Sequence, residues 1–301
     1  MFEIFIKFLK VTLLISIFYY LYNNNYFDLS LFVNFIKNPL LNFILIFLTA
    51  FTIFVGGYRW YIILKSFDVK ISLFKTLKIH YIASFFNNVL FGTIGGDVLK
   101  VHYILKHSDK NKLKNNFTIL IDRVFGFLGL SFLGLFSVII IIIQSDQIKF
   151  LYYSFYVALA FIIFFIFLFY IIRKNSFFLK IKYFYLKHYK KFVLAFILSI
   201  LIFFIVHFST FLISEYIFKF NIDLNEIFFS NFMSTIVSAV PITPGGIGLS
   251  EITFAFTNKY FFENLLNNLA NVVIYLRVID FIVSLPSLYF YLVYKNEKNE
   301  I

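Results

Sequence analysis

Thr243-Pro244-Gly245-Gly246-Ile247-Gly248-Leu249-Ser250-Glu251 interrupts a chain that is otherwise nearly continuous hydrocarbon. Glycines, a proline and a carboxylate in such surroundings stop a helix and free its backbone polar groups. At membrane depth this is tolerated only where those groups are buried in protein or line a polar cavity. A second break, Gly92-Thr93-Ile94-Gly95-Gly96-Asp97, precedes it. Thr93-x-Gly95-Gly96 and Thr243-x-Gly245-Gly246 superpose at an offset of 150 in a chain of 301 residues. Paired interruptions at corresponding places in two halves point to a transporter-type binding site.

The surroundings set the class. The chain is 61% hydrophobic, 23% aromatic and 14% charged, with mean hydropathy +0.88. That balance excludes a soluble globular domain and predicts an all-α integral membrane protein. It holds 48 Phe, which are read as ordinary lipid-facing and core residues. There is no Cys, hence no disulfide framework and no Cys nucleophile, and the five His show no metal-ligand spacing. Neither a metal nor another cofactor is expected. The net charge of +12 sits in short loops between apolar segments, which speaks against nucleic acid.

Stretches long and apolar enough to span occur at about 3–22, 40–64, 117–143, 150–172, 192–218 and 270–294. In the first, Lys7 and Lys10 precede the apolar run Val11 to Tyr22, no small-x-small cleavage site follows, and it reads as an uncleaved helix. Segments 73–106 and 226–258 are apolar but broken by the glycine motifs. Each reads as one crossing or as two half-helices that enter and leave on one side, giving about six to eight transmembrane helices. Lys65 to Lys78 carries four cations, Lys100 to Lys114 five, and 173–191 seven with no acid. By the positive-inside rule this places both termini in the cytoplasm, with six full crossings and two re-entrant segments. The expected organisation is one membrane domain, 1–301, with halves 1–145 and 146–301 related as an inverted repeat. No soluble catalytic domain is expected.

Charged residues at membrane depth cost roughly 2.5–3.5 kcal/mol each on insertion scales, so they demand partners or a wet cavity. Here they are Asp97, Asp122, Arg123, Glu215, Glu251, Arg277 and Asp280, with Lys100 and Arg59 nearer an interface. Asp97 and Lys100 share the face of a half-helix that starts after Gly95-Gly96. A helix start offers free N–H groups and partial positive charge, suited to phosphate, and glycine lets a headgroup approach closely. Gly245, Gly246 and Gly248 open a second half-helix, with Glu251 in its first turn. Arg123 and Arg277 add positive charge. The competing reading makes Asp97 and Glu251 capping residues, and Asp122-Arg123 and Arg277/Asp280 structural ion pairs. Arg59 and Glu215 read as interfacial. Asn87-Asn88 either bond between helices or line the first break, and Pro286 kinks the last helix.

Gly95-Gly96-Asp97-x-x-Lys100, Asp122-Arg123-x-x-Gly126 and Pro241-x-x-Pro244-Gly245-Gly246-x-Gly248-x-x-Glu251, in that order, resemble the lysylphosphatidylglycerol synthase transmembrane-region family, also called the flippase-like domain family. The likeness covers nearly the whole chain. The family usually has Arg where Lys100 stands, and a Pro upstream where this chain reads Leu90-Phe91-Gly92. Lys keeps the charge but loses bidentate phosphate recognition. The resemblance implies an inner-membrane protein that handles lipids, with a headgroup site at these motifs, Pro244 included. It implies a non-enzymatic translocase of an anionic phospholipid or a polyprenyl-phosphate-linked sugar, beside a separate transferase as partner. The other readings are a glycosyl- or aminoacyl-transferase acting on a lipid phosphate, and a scaffold for a partner enzyme.

Overall fold

A computed structural model describes residues 19, 23, 30–89, 95–107, 112–144, 176–240, 242–243, 245–264 and 268–296. The expected spans at 3–22 and 150–172, together with Gly92–Ile94, Pro241 and Pro244, lie almost wholly outside these residues. Among the described residues all regular structure is helical. We number the helices α1 (Ser30–Lys37), α2 (Pro39–Ser66), α3 (Leu73–Val89), α4 (Gly95–His107), α5 (Lys112–Gln144), α6 (Ser176–Leu212), α7 (Leu224–Ser238), α8 (Leu249–Phe261), α9 (Ala270–Ser284) and α10 (Ser287–Asn296).

Four described segments are long and apolar enough to cross a membrane: Pro39–Ser66, Phe117–Ile143, His188–Phe218 and Ala270–Val293. They match four of the expected spans, and the chain is a multi-pass membrane protein. Pro39 begins α2, where its missing N–H costs nothing. At 28 residues α2 is about 42 Å long, more than the ~30 Å of hydrocarbon. The α6 helix bends at His188 (φ −118°, ψ 20°) and ends in a π-helical turn, Ile213–Phe218. Pro286, read as a kink, lies in a two-residue turn that separates α9 from α10. Large apolar side chains such as Phe43, Phe47 and Phe136 stay exposed, as a lipid-facing surface requires.

The two interrupted segments are helical hairpins. At 17, 13, 15 and 13 residues, their helices α3, α4, α7 and α8 are each shorter than the ~20 residues a crossing needs. In the first, Ile79 shares a buried cluster with Tyr103 and Ile104, so α4 returns along α3. In the second, Ser234 donates to the Ser250 carbonyl (2.9 Å), and Phe229 packs on Phe261 and Phe262. Each half therefore repeats one order: long helix, hairpin, long helix. The two long helices α2 and α6 pack together at the centre; α5 lies against α6 and α7, and α9 against α2 and α3. Small residues permit the close approaches. A Cβ on Gly129 would lie 2.6 Å from Ser199 Cβ, and one on Gly134 2.4 Å from the Phe232 ring.

Candidate functional site

The first hairpin carries its charges on α4, and α5 answers them. Asp97 accepts from Arg123 Nε at 2.6 Å. Three residues on, Lys100 Nζ stands 3.4 Å from Asp122 Oδ2. The i, i+3 pair of one helix thus meets two adjacent residues of the next with signs reversed. Asp122 and Arg123 are not each other's partners. The second oxygen of Asp122 receives Arg59 Nε from α2 (2.8 Å), and Arg59 Nη1 reaches Ser199 Oγ on α6 (2.9 Å). Lys100 Nζ lies 4.8 Å above the Trp60 ring. Arg59, Lys100 and Asp122 are buried, whereas the Arg123 side chain is 40% exposed. One carboxylate therefore holds two buried cations, and the Asp97–Arg123 pair forms the wetter rim.

Arg59 corrects the sequence reading. Read from sequence as having no specific role, it is 8% exposed and stands at the centre of this network. Nothing in the spacing of the sequence joins it to Asp122, which is 63 residues away. His80 was equally hidden: its ring packs on Gly56 and Gly57, where a Cβ would lie 2.8 Å from His80 Nε2 and Leu77 Cδ2 respectively. Asn87 and Asn88 divide the two roles read for them. Asn87 Oδ1 accepts the Gly96 N–H (2.8 Å) at the start of α4, while Asn88 Nδ2 donates to Ser284 Oγ on α9 (3.3 Å).

The second hairpin is built around Glu251. Gly245, Gly246 and Gly248 take φ of 55°, 72° and 86°, left-handed values that admit glycine. The turn they make delivers the Gly248 N–H to Glu251 Oε2 (2.6 Å), one half of a capping box. Ser250 Oγ donates to the same oxygen (2.8 Å). Arg277 of α9 lies 2.5 Å from Glu251 Oε1 and donates from Nη1 to the Gly245 carbonyl (2.8 Å). Glu251 is fully buried. Arg277 thus pairs with Glu251 and not with Asp280, which faces Thr49 of α2.

The tips of the two hairpins meet. A Cβ on Gly245 would lie 2.8 Å from the Asn88 carbonyl oxygen. Beside that junction opens a cleft of about 520 Å³. Its charged lining is Arg59, Lys100 and Arg123 with Asp97 and Asp122, three cations against two carboxylates. His80 and Asn87 complete the first-hairpin wall, Gly126 and Phe127 belong to α5, and Thr235, Ser238 and Ala239 come from the second hairpin. Gly245, Gly246, Gly248, Glu251, Arg277 and Asp280 are not in this lining. The three glycines and Glu251 make the second tip and Arg277 braces it, whereas Asp280 faces α2. The sequence-derived set therefore divides: Asp97, Lys100, Asp122 and Arg123 line the cleft, with Gly95 and Gly96 at the head of the helix that carries two of them. Glu215 is exposed on the π-turn and is not part of the cleft lining.

The family model described as "Lysylphosphatidylglycerol synthase TM region" matches residues 7–283. No curated protein and no solved structure matches the chain.

Proposed function

Since the chain belongs to the lysylphosphatidylglycerol synthase TM-region family, we propose that it is a lipid translocase without catalytic activity. Its substrate would be a phosphate-bearing lipid or a polyprenyl-phosphate-linked sugar. It would work in the plasma (inner) membrane, with both termini in the cytoplasm and a separate transferase supplying the lipid. The observation that carries this reading is the cleft at the meeting of the two hairpin tips, with its surplus of one cation. A headgroup crossing hydrocarbon needs a polar path while its tails stay in lipid. A cleft whose buried charges are already paired provides such a path at little further cost of desolvation.

Within it Arg123 is the cation best placed to take a phosphate. Its partner Asp97 sits on a neighbouring helix and the pair is partly exposed. The phosphate replaces Asp97 on the guanidinium, which offers a bidentate fork. Arg59 and Lys100 hold Asp122 and set the positive potential behind it.

The test is leaflet exchange in liposomes containing the purified protein and fluorescent phosphatidylglycerol, lysyl-phosphatidylglycerol or a polyprenyl-phosphate sugar. We expect accelerated exchange of one of these lipids. Arg123→Ala should lower that rate by about 10- to 100-fold, the worth of one charge-assisted hydrogen-bonded contact. No exchange of any of the three lipids would sink the reading and put the transferase first.

A further inference from the structure

The charges of the cleft bear on which headgroup it takes. Among the described residues both carboxylates of its lining are already held, Asp122 by Arg59 and Lys100, and Asp97 by Arg123. Three cations face two carboxylates, so the lining carries a net positive charge. His80 in the same wall can only add to the positive side. The residues that join the described parts of the two tips change nothing in this sum, since 90–94, Pro241 and Pro244 hold no ionisable side chain.

The rest of the polar lining is neutral. Asn87 Oδ1 is taken by the Gly96 N–H, which leaves its Nδ2 as a donor. Ser238 Oγ donates to the Thr235 carbonyl (2.9 Å) and Thr52 Oγ1 to the Thr49 carbonyl (2.8 Å), so each hydroxyl oxygen keeps lone pairs to accept with. Such groups match the hydroxyls of glycerol or a sugar, and none of them neutralises an ammonium. When a phosphate takes Arg123 from Asp97, the released carboxylate has Lys100 one turn along the same face of α4. It needs no cation from the lipid.

We propose that the cleft selects headgroups whose only charge is the phosphate and whose remainder is a neutral polyol, and that it rejects headgroups bearing an ammonium. A lysyl ester turns a net anionic headgroup into a net cationic one, which sets like charge against the lining. This names the substrate class of the site proposed above and rests on that reading.

The test begins with equilibrium binding by the full chain in detergent, which needs no movement of lipid. Phosphatidylglycerol with a dansyl group on one acyl chain is excited through Trp60, the chain's one tryptophan, whose ring Lys100 overlies. Unlabelled phosphatidylglycerol (net anionic), phosphatidylethanolamine (neutral) and lysyl-phosphatidylglycerol (net cationic) then compete for the site. We expect displacement to weaken about tenfold with each step toward positive charge, and added salt to narrow the gaps. Thr235→Asp, which brings the lining to neutrality, should largely close them, and Ala239→Asp, at an exposed lining position, serves if the first variant does not fold. Leaflet exchange of the same three lipids is measured alongside. Equal displacement by all three, a preference for lysyl-phosphatidylglycerol, or a ranking unmoved by either aspartate overturns the proposal, whether or not lipid is exchanged. The expected ranking in binding with no exchange of any lipid overturns the translocase reading instead and leaves the selectivity standing.

Discussion

Asp122 shows what a single carboxylate does in this molecule. It is buried, and both its oxygens are taken, one by Arg59 and one by Lys100. Removing its charge strands two buried cations. Breaking a buried ion pair from one side costs about 3–5 kcal/mol. Asp122→Asn should therefore lower the thermal midpoint in detergent sharply, read by tryptophan fluorescence of Trp60, whose ring Lys100 overlies. Arg123→Ala, on the exposed rim, should leave the midpoint nearly unchanged. Equal losses for the two variants would mean that the network is not graded in this way. His207 makes the opposite case. It is fully buried, neither ring nitrogen has a hydrogen-bond partner among the described residues, and its ring packs against Phe203 and Phe228. A polar group buried without a partner costs free energy. His207→Leu should be neutral or raise the midpoint, and a large drop would reveal a partner for the imidazole. Neither distinction is legible in the sequence, where Asp122 beside Arg123 and His207 before Ser209 and Thr210 are both polar residues in apolar runs. What separates them is what other helices bring: Arg59 and Lys100 to one, Phe228 to the other.

Among the elements, the hairpins depend on backbone approach at their glycines. A Cβ on Gly96 would lie 2.2 Å from the Ala83 carbonyl oxygen, against the rigid backbone of α3. Gly96→Ala must push α4 off α3 and break the Gly96 N–H bond to Asn87. We expect a loss of about 1–3 kcal/mol, as for other overpacking changes, together with loss of exchange. Gly126 is the control, because a Cβ there would lie 3.6 Å from Arg59 Nη1, an ordinary contact. Gly126→Ala should fold normally, and an equal loss of stability would show that the close approach at Gly96 is not what matters. The glycine runs, the helix starts behind them and the four described spans were all legible. Each is a local property: a breaker, a cap or an apolar length. The partners were not. Read from sequence, Arg277 goes with Asp280 one turn away on its own helix. In the structure it crosses to Glu251, because a turn with three positive-φ glycines carries that carboxylate to it. Local spacing ranks near neighbours first, while the tertiary fold offers a better-fitting one.

The described residues repeat long helix, hairpin, long helix in each half, and the halves touch where the hairpin tips meet. An inverted or a parallel repeat would each produce that order, and with the translocase reading it makes a mechanical statement. If the halves rock to expose the cleft to each leaflet in turn, contacts between α3 and α9 must loosen, since one belongs to each half. Two such contacts lie on the seam: Asn88 Nδ2 to Ser284 Oγ, and Tyr81 OH to the Val283 carbonyl (2.7 Å). A cysteine pair at Asn88 and Ser284 would clamp the seam, in a chain that offers no competing thiol. We expect the oxidised double variant to stop exchange and reduction to restore it, while each single variant stays active. Both forms should bind the lipid that wild type moves, because the cleft lies beside the clamp and is not filled by it. If the oxidised protein exchanges lipid at the reduced rate, the halves do not part along α3 and α9. The headgroup would then have to pass through a fixed cleft, its way opened only by the Asp97–Arg123 pair at the rim.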